Sequence, residues 1–236
     1  MDFLVEVAAY FNDRANWRGE AGLANLIGEH LWVSAVAMAL ALAVALPLGL
    51  VLGHLGRGGV VAINVSNIGR ALPSFAVLVI ALQVSSIGTT PALVALVALA
   101  IPPMVTNSYV GIREVDDELV ESARGMGMTG RQVFTGVELP VAIPLVMAGV
   151  RTAAVQVVGT ATLAALVGYG GLGALVVLGL RTGDNVEVFA GALAVAVLAL
   201  ATEVVLGRVQ RALTPAPLRR GQGGAEEVEV VAPRPI

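Results

Sequence analysis

From Leu31 to Gly53 the chain carries no charged side chain, and that run decides which solvent the protein folds in. A helix needs about 20 mostly apolar residues to cross a hydrocarbon core ~30 Å thick. In lipid only such a helix, or a closed barrel, satisfies its own backbone. Ala37, Ala41, Ala45, Gly49 and Gly53 recur at every fourth position, so one face of the helix holds only small side chains and reads as a contact face for a second helix. Pro47 lies within the run as a potential kink. The rest of the chain follows suit: 57% of its 236 residues are hydrophobic and 13% charged, where a soluble domain has about 25% charged. A polytopic, all-α membrane protein is the expected class.

Four further runs complete an expected set of about five transmembrane helices. The second, near 60–84, is interrupted by Asn64, Asn67 and Arg70 and then by Pro73-Ser74. It reads as a broken helix, because irregular backbone at membrane depth survives only where protein or a cavity covers it. The third, 91–109, carries Pro102-Pro103; the fourth is 140–167; the fifth is 188–206. Residues 168–187 are expected to form a glycine-rich loop, and 1–29, with aromatics among charges, an interfacial amphipathic segment. Acidic Asp2, Glu6 and Asp13 do not fit the basic start of a signal peptide. This divides the chain into 1–29, a membrane domain 30–207, and a tail 208–236 whose composition points to disorder.

Arginine placement sets the expected orientation. Arg57, the group Arg113, Arg124 and Arg131, and the tail with Arg208, Arg211, Arg219 and Arg220 share one side, whereas Arg14, Arg18 and Arg181 share the other. The first side is read as cytoplasmic, which puts the N-terminus outside and the C-terminus inside.

Several chemistries are excluded. There is no cysteine and there are only two histidines, so neither a disulfide framework nor a histidine-rich metal site is expected. All 14 basic residues are arginine, so no P-loop, which needs lysine, can form. No paired carboxylates or nucleophile–base set lies within the spans, so no catalytic residue is assigned. Gly168-Tyr169-Gly170-Gly171-Leu172-Gly173 fits Gly-x-Gly-x-x-Gly, but a dinucleotide site needs a preceding strand and a βαβ unit, and a long apolar span precedes it instead.

One polar island remains, between the third and fourth spans. Asp116, Asp117, Glu118 and Glu121 make an acidic start suited to a helix N-terminus, and Gly125, Gly127 and Gly130 interrupt that helix soon after. The pattern predicts a short helix, an elbow and a second short helix, with Ser122, Ala123 and Gly127 baring the backbone to a partner.

The island resembles the signature loop of binding-protein-dependent ABC importer permeases. In that family Glu-Ala-Ala is followed by three residues, Gly, nine residues, an aliphatic, one residue and Leu-Pro. Here Glu121-Ser122-Ala123, Gly127, Val137 and Leu139-Pro140 stand at that spacing, with Ser122 and Val137 as the departures. Ala71-Leu72-Pro73-Ser74, Ile101-Pro102-Pro103, Thr106-Asn107, Gly111-Ile112, Ala148-Gly149-Val150-Arg151 and Gly168–Gly173 are similar to the branch that imports glycine betaine, choline, carnitine or proline-like osmoprotectants.

The resemblance implies an ABC type I importer-like fold in a bacterial or archaeal cell membrane. It implies that Glu121, Ser122, Ala123, Arg124, Gly125, Met126, Gly127 and Met128, with Leu139 and Pro140 behind them, couple the spans to a separate ATPase subunit. ATP and Mg belong to that ATPase, and this chain holds no cofactor or metal. A second permease copy or a paralogue and an extracytoplasmic substrate-binding protein are the other implied partners; nucleic acid is not. Methionine-type or sulfonate-type permeases and a passive channel are the alternatives.

A polar path is the final expectation. Pro73, Ser74, Asn107, Arg151, Gln156, Thr160 and Thr162 are its candidate lining. Arg151 lies about 16 Å beyond Pro140 along a helix, where a cation needs a protein partner or water. Buried pairing of Arg151 with a carboxylate or with helix-end carbonyls is the competing account, and hydrogen bonding between helices competes for Gln156, Thr160 and Thr162.

Overall fold

The computed structural model describes residues 2–215, which form ten α-helices with no strand among them. In chain order these are α1 (Asp2–Asn12), α2 (Leu23–Leu55), α3 (Gly59–Ala71), α4 (Ser74–Gln83), α5 (Thr89–Arg113), α6 (Asp117–Gly125), α7 (Gly130–Val133), α8 (Leu139–Thr160), α9 (Leu172–Thr182) and α10 (Asn185–Leu213). Four continuous helical segments are long and apolar enough to cross a membrane: 23–55, 89–113, 130–167 and 185–213. The expected second span is a bent pair of helices, as its polar interruptions predict: α3 and α4 meet at 88° across Leu72-Pro73, and counted as one they make a fifth span. Pro73 forces an extended backbone on the residue before it, and Leu72 sits at φ −70°, ψ 127°.

Helix α5 is the centre of the bundle, between α2 and α8. Ala37, Ala41 and Ala45 of α2, Ala100 and Met104 of α5 and Ala153 and Val157 of α8 are all fully buried in one core. The small-residue face of α2 is the seam with α5. A β-carbon on Gly49 would stand 2.7 Å from Cβ of Ser108, and one on Gly53 2.8 Å from Cβ of Ile112. Gly149 plays the same part between α5 and α8, 2.7 Å from Asn107 by the same measure. Helices without a hydrophobic drive between them gain van der Waals packing from such close approach. Helix α2 continues through Pro47.

Three sequence-based boundaries shift. Helix α2 starts at Leu23, so a division at 29/30 falls inside it. The segment 168–187 is not all loop: Leu172–Thr182 is helical, with Leu172 and Leu175 buried against Leu23, Leu26 and Ala190. Helix α10 continues to Leu213, beyond the tail boundary at 208. The rest of that expected tail, 216–236 with Arg219 and Arg220, lies outside the described residues. Helix α1 docks on α10 through Phe3 and Phe189, ring to ring edge-on at 5.4 Å, and its last carbonyls are capped by the side chains of Asn16 and Trp17.

Candidate functional site

The polar island folds as two short helices around an elbow. Asp116 caps α6, its Oδ1 accepting the Glu118 N–H at 2.9 Å, and Asp117 and Glu118 complement the positive helix start. The helix stops at Gly125, and Gly127 turns the chain with φ +85°, a left-handed conformation natural to glycine. Thr129 and Gln132 close a capping box on α7. Met126 is 78% exposed and Leu119 52%, two large apolar side chains on an otherwise charged surface. Glu121, Ser122 and Arg124 are also exposed. Ala123, expected to bare the backbone, is instead 2% exposed; it faces inward, where α6 packs on α7 and the turn before α8. The outward face is therefore Leu119, Glu121, Ser122, Gly125, Met126 and Gly127, with Met128 half-buried.

Behind the elbow the helix widens. Residues Phe134–Glu138 form a π turn, with the Leu139 N–H donating to Phe134 O. The cause is Pro140, which has no N–H and would clash with the carbonyl of Gly136 in a regular helix; a wider turn moves that carbonyl away. The Leu139-Pro140 end of the motif is thus a geometric device. Its product is Glu138, a carboxylate only 5% exposed, whose Oε2 lies 2.5 Å from Nδ1 of His54 at the end of α2. Phe134 stacks edge-on against His54 at 5.2 Å and joins a small core with Leu46, Leu50, Ile112, Ala142 and Val146. Nothing in the sequence pairs His54 with Glu138, which stand 84 positions apart.

At the opposite end of α2 the partners are backbone groups. His30, 1% exposed, has Nε2 2.8 Å from Val158 O near the end of α8; a carbonyl only accepts, so Nε2 carries the hydrogen. The Glu29 carboxylate accepts the Gly171 N–H at 2.8 Å, and the Tyr169 hydroxyl donates to Glu29 O at 2.9 Å. Burial and the nearby Glu29 push the Tyr169 phenol above its usual range. The glycines of 168–173 serve this approach: a β-carbon on Gly170 would collide with the Glu29 carboxylate, and Gly168 and Gly171 have φ +81° and +73°.

The candidate path residues divide. Ser74 and Thr160 share one crevice with Leu78, Ala95 and Leu163, and Pro73 is exposed beside Ser74. Asn107 sits at the α5–α8 crossing and donates to Pro103 O at 2.7 Å. Thr162 bonds locally to Gly159 O, and Gln156 is half-buried on the same face as Thr160. Arg151 points elsewhere: its Nε lies 3.3 Å from Oε1 of Glu203 on α10. Pairing with a carboxylate is therefore the account that the geometry favours for Arg151, and a companion bond runs from Gln210 to Pro144 O at 2.9 Å.

The comparisons with known proteins agree with this architecture. The family described as the binding-protein-dependent transport system inner membrane component matches residues 45–218. The glycine betaine/carnitine/choline transport system permease protein OpuCB of Bacillus subtilis is 39% identical, over 85% of this chain and 91% of its own. The choline transport system permease protein OpuBB of the same organism is 40% identical, over 81% and 88%. The carnitine transport permease protein OpuCB of Listeria monocytogenes is 39% identical, over 84% and 91%. Among solved structures, an inward-facing MetNI methionine ABC transporter superposes with a TM-score of 0.70 at 25% identity, over 80% of this chain and 94% of its own. An all-helical bundle with a broken span, carrying the signature loop and matched by that family over most of its length, belongs to it: the chain is a multi-pass membrane permease component of a binding-protein-dependent ABC import system.

Proposed function

We propose that this subunit forms, with a second copy or a paralogue, the pathway by which an osmoprotectant of the glycine betaine, choline, carnitine or proline betaine class enters the cell. Energy comes from a separate ATPase subunit, which holds ATP and Mg, since this chain has no lysine for a P-loop. The loop Glu121–Met128 seats on that ATPase. The observation that carries this reading is the exposed elbow: apolar Met126 and Leu119 stand beside a glycine turn with open space around it, which is the form of a surface waiting for a cleft. Arg57, Arg113, Arg124, Arg131, Arg208 and Arg211 gather at the elbow's end of the bundle, because the ends of α2, α5 and α10 all lie there. That asymmetry supports a cytoplasmic elbow and C-terminus and an external N-terminus. The substrate class rests on the names of the similar permeases.

The test is co-purification with a candidate ATPase subunit, wild type against Gly127→Asp. Aspartate tolerates the left-handed backbone better than most residues, so the change falls on the docking face. Wild type should retain the ATPase and the variant lose it. Uptake of labelled glycine betaine, choline or carnitine into cells lacking their own importers then tests the substrate. Uptake of methionine alone would reassign the substrate and leave the coupling intact.

A further inference from the structure

We infer that His54 is a positioning residue for energy coupling: its bond to Glu138 makes the first span follow the coupling loop. The inference rests on the reading that this loop seats on an ATPase. Helix α8 needs no such device, because it is covalently continuous with the loop through the π turn. Helix α2 is remote in sequence and meets the loop region at its last turn. There His54 contacts two parts of it and faces a third. Its Nδ1 bonds Glu138, its ring stacks on Phe134, and its Nε2 faces Gly130 at the start of α7, 3.8 Å from where a β-carbon would stand.

The chemistry makes the contact specific. A carboxylate this buried requires a hydrogen-bonding or charged partner, and His54 is the only side chain bonded to Glu138 among the described residues. With Glu138 ionised, the hydrogen between them is on Nδ1. A charge-assisted bond of this kind is short and directional, so a shift of the loop is transmitted rather than absorbed. What it transmits to is the α2–α5 seam, where Gly49 and Gly53 leave no slack between the helices. Displacing α2 therefore carries α5, the centre of the bundle.

The experiment uses the full permease–ATPase complex with its binding protein. The chain has no cysteine, so spin labels can be placed at Leu55→Cys on α2 and Arg131→Cys on α7, both exposed and both outside the docking face. In wild type the distance between them should stay constant between the nucleotide-free and ATP-trapped states. In His54→Leu it should change with nucleotide, and substrate imported per ATP hydrolysed should fall about ten-fold while ATP hydrolysis persists. His54→Asn, whose amide reaches the Nδ1 position, should restore both. If His54→Leu does not assemble, Glu138→Leu removes the same bond from the other side and carries the test. Wild-type yield per ATP with a constant distance in the Leu variant overturns the inference, as does an Asn variant no better than Leu. Failure of both Leu variants to assemble would mark a structural brace and overturn it too. The distance measurement is blind to substrate, so a wild-type complex that imports no osmoprotectant refutes the substrate reading alone.

Discussion

The two ends of α2 are each tied by a histidine, one to α8 and one to the π turn before it, and they are tied in different ways. At one end His30 holds a backbone carbonyl in a fully buried site, with Glu29 and Tyr169 reinforcing it through further backbone groups. At the other, His54 holds a side-chain carboxylate on a π turn, beside the exposed coupling loop. The His30 tie joins two spans to each other, whereas the His54 tie joins a span to the segment that carries the coupling loop. The first tie is a fixed pivot and the second a joint that acts at the driven end.

The most direct way to break this contrast is His30→Leu. It removes the buried side-chain bond to Val158 O, and a lost intramolecular hydrogen bond costs about 0.5–1.5 kcal/mol. Thermal unfolding in detergent should drop accordingly, with ATPase binding and transport lost only in proportion to folded protein. If His30→Leu is instead stable, assembled and uncoupled, the two histidines do the same job and the contrast fails. A smaller effect is expected on the opposite face of α8. Glu203→Gln strands Arg151 at mid-span, where an unpaired cation is costly, and removing one partner of an ion pair usually costs more than removing both. Glu203→Gln alone should lower the unfolding temperature slightly, and Arg151→Met with Glu203→Gln should recover most of the loss, a coupling of about 0.2–1 kcal/mol for an exposed pair. Because that pair is half-exposed, import per ATP should not change, unlike in His54→Leu.

The smallest effect concerns the pivot end. Burial first, then the charges of Glu187 and Asp184, raise the Tyr10 phenol above its ordinary value of 10.0. The native state therefore holds that proton more tightly than the unfolded chain does. Its stabilising share is complete below the unfolded value and is lost as pH rises through the folded one. Tyr10→Phe should flatten stability against pH above about 10 and leave it unchanged at neutral pH, as read by unfolding temperature across a pH series.

The elements that were legible in the sequence are those with local causes. Uncharged runs mark spans, a four-residue spacing of Ala and Gly marks the α2 seam, and Pro73 marks the break between α3 and α4. The elbow at Gly127 follows from glycine spacing and the acidic start before it. What was hidden depends on partners far along the chain. Leu172–Thr182 looks like a loop because glycines surround it, yet Leu172 and Leu175 become a helix face once Leu23 and Ala190 are there to cover them. Arg151 read equally well as a path residue until Glu203 stood opposite it, and Ala123 looked exposed until α7 and the turn before α8 folded against α6. His54 and Glu138 have no local signal at all, since one closes a span and the other precedes a proline for what look like unrelated reasons.

The π turn has one more consequence. Each residue advances a regular helix by about 100°, so the wide turn at Phe134–Glu138 resets the angular phase between the elbow and the span that follows. Deleting Gly136 would return the backbone to α-helical winding against Pro140 and swing the docking face of α6 by roughly that angle around the α8 axis. The direction in which the loop points, and hence which neighbouring subunit it can meet, hangs on one residue of helical timing.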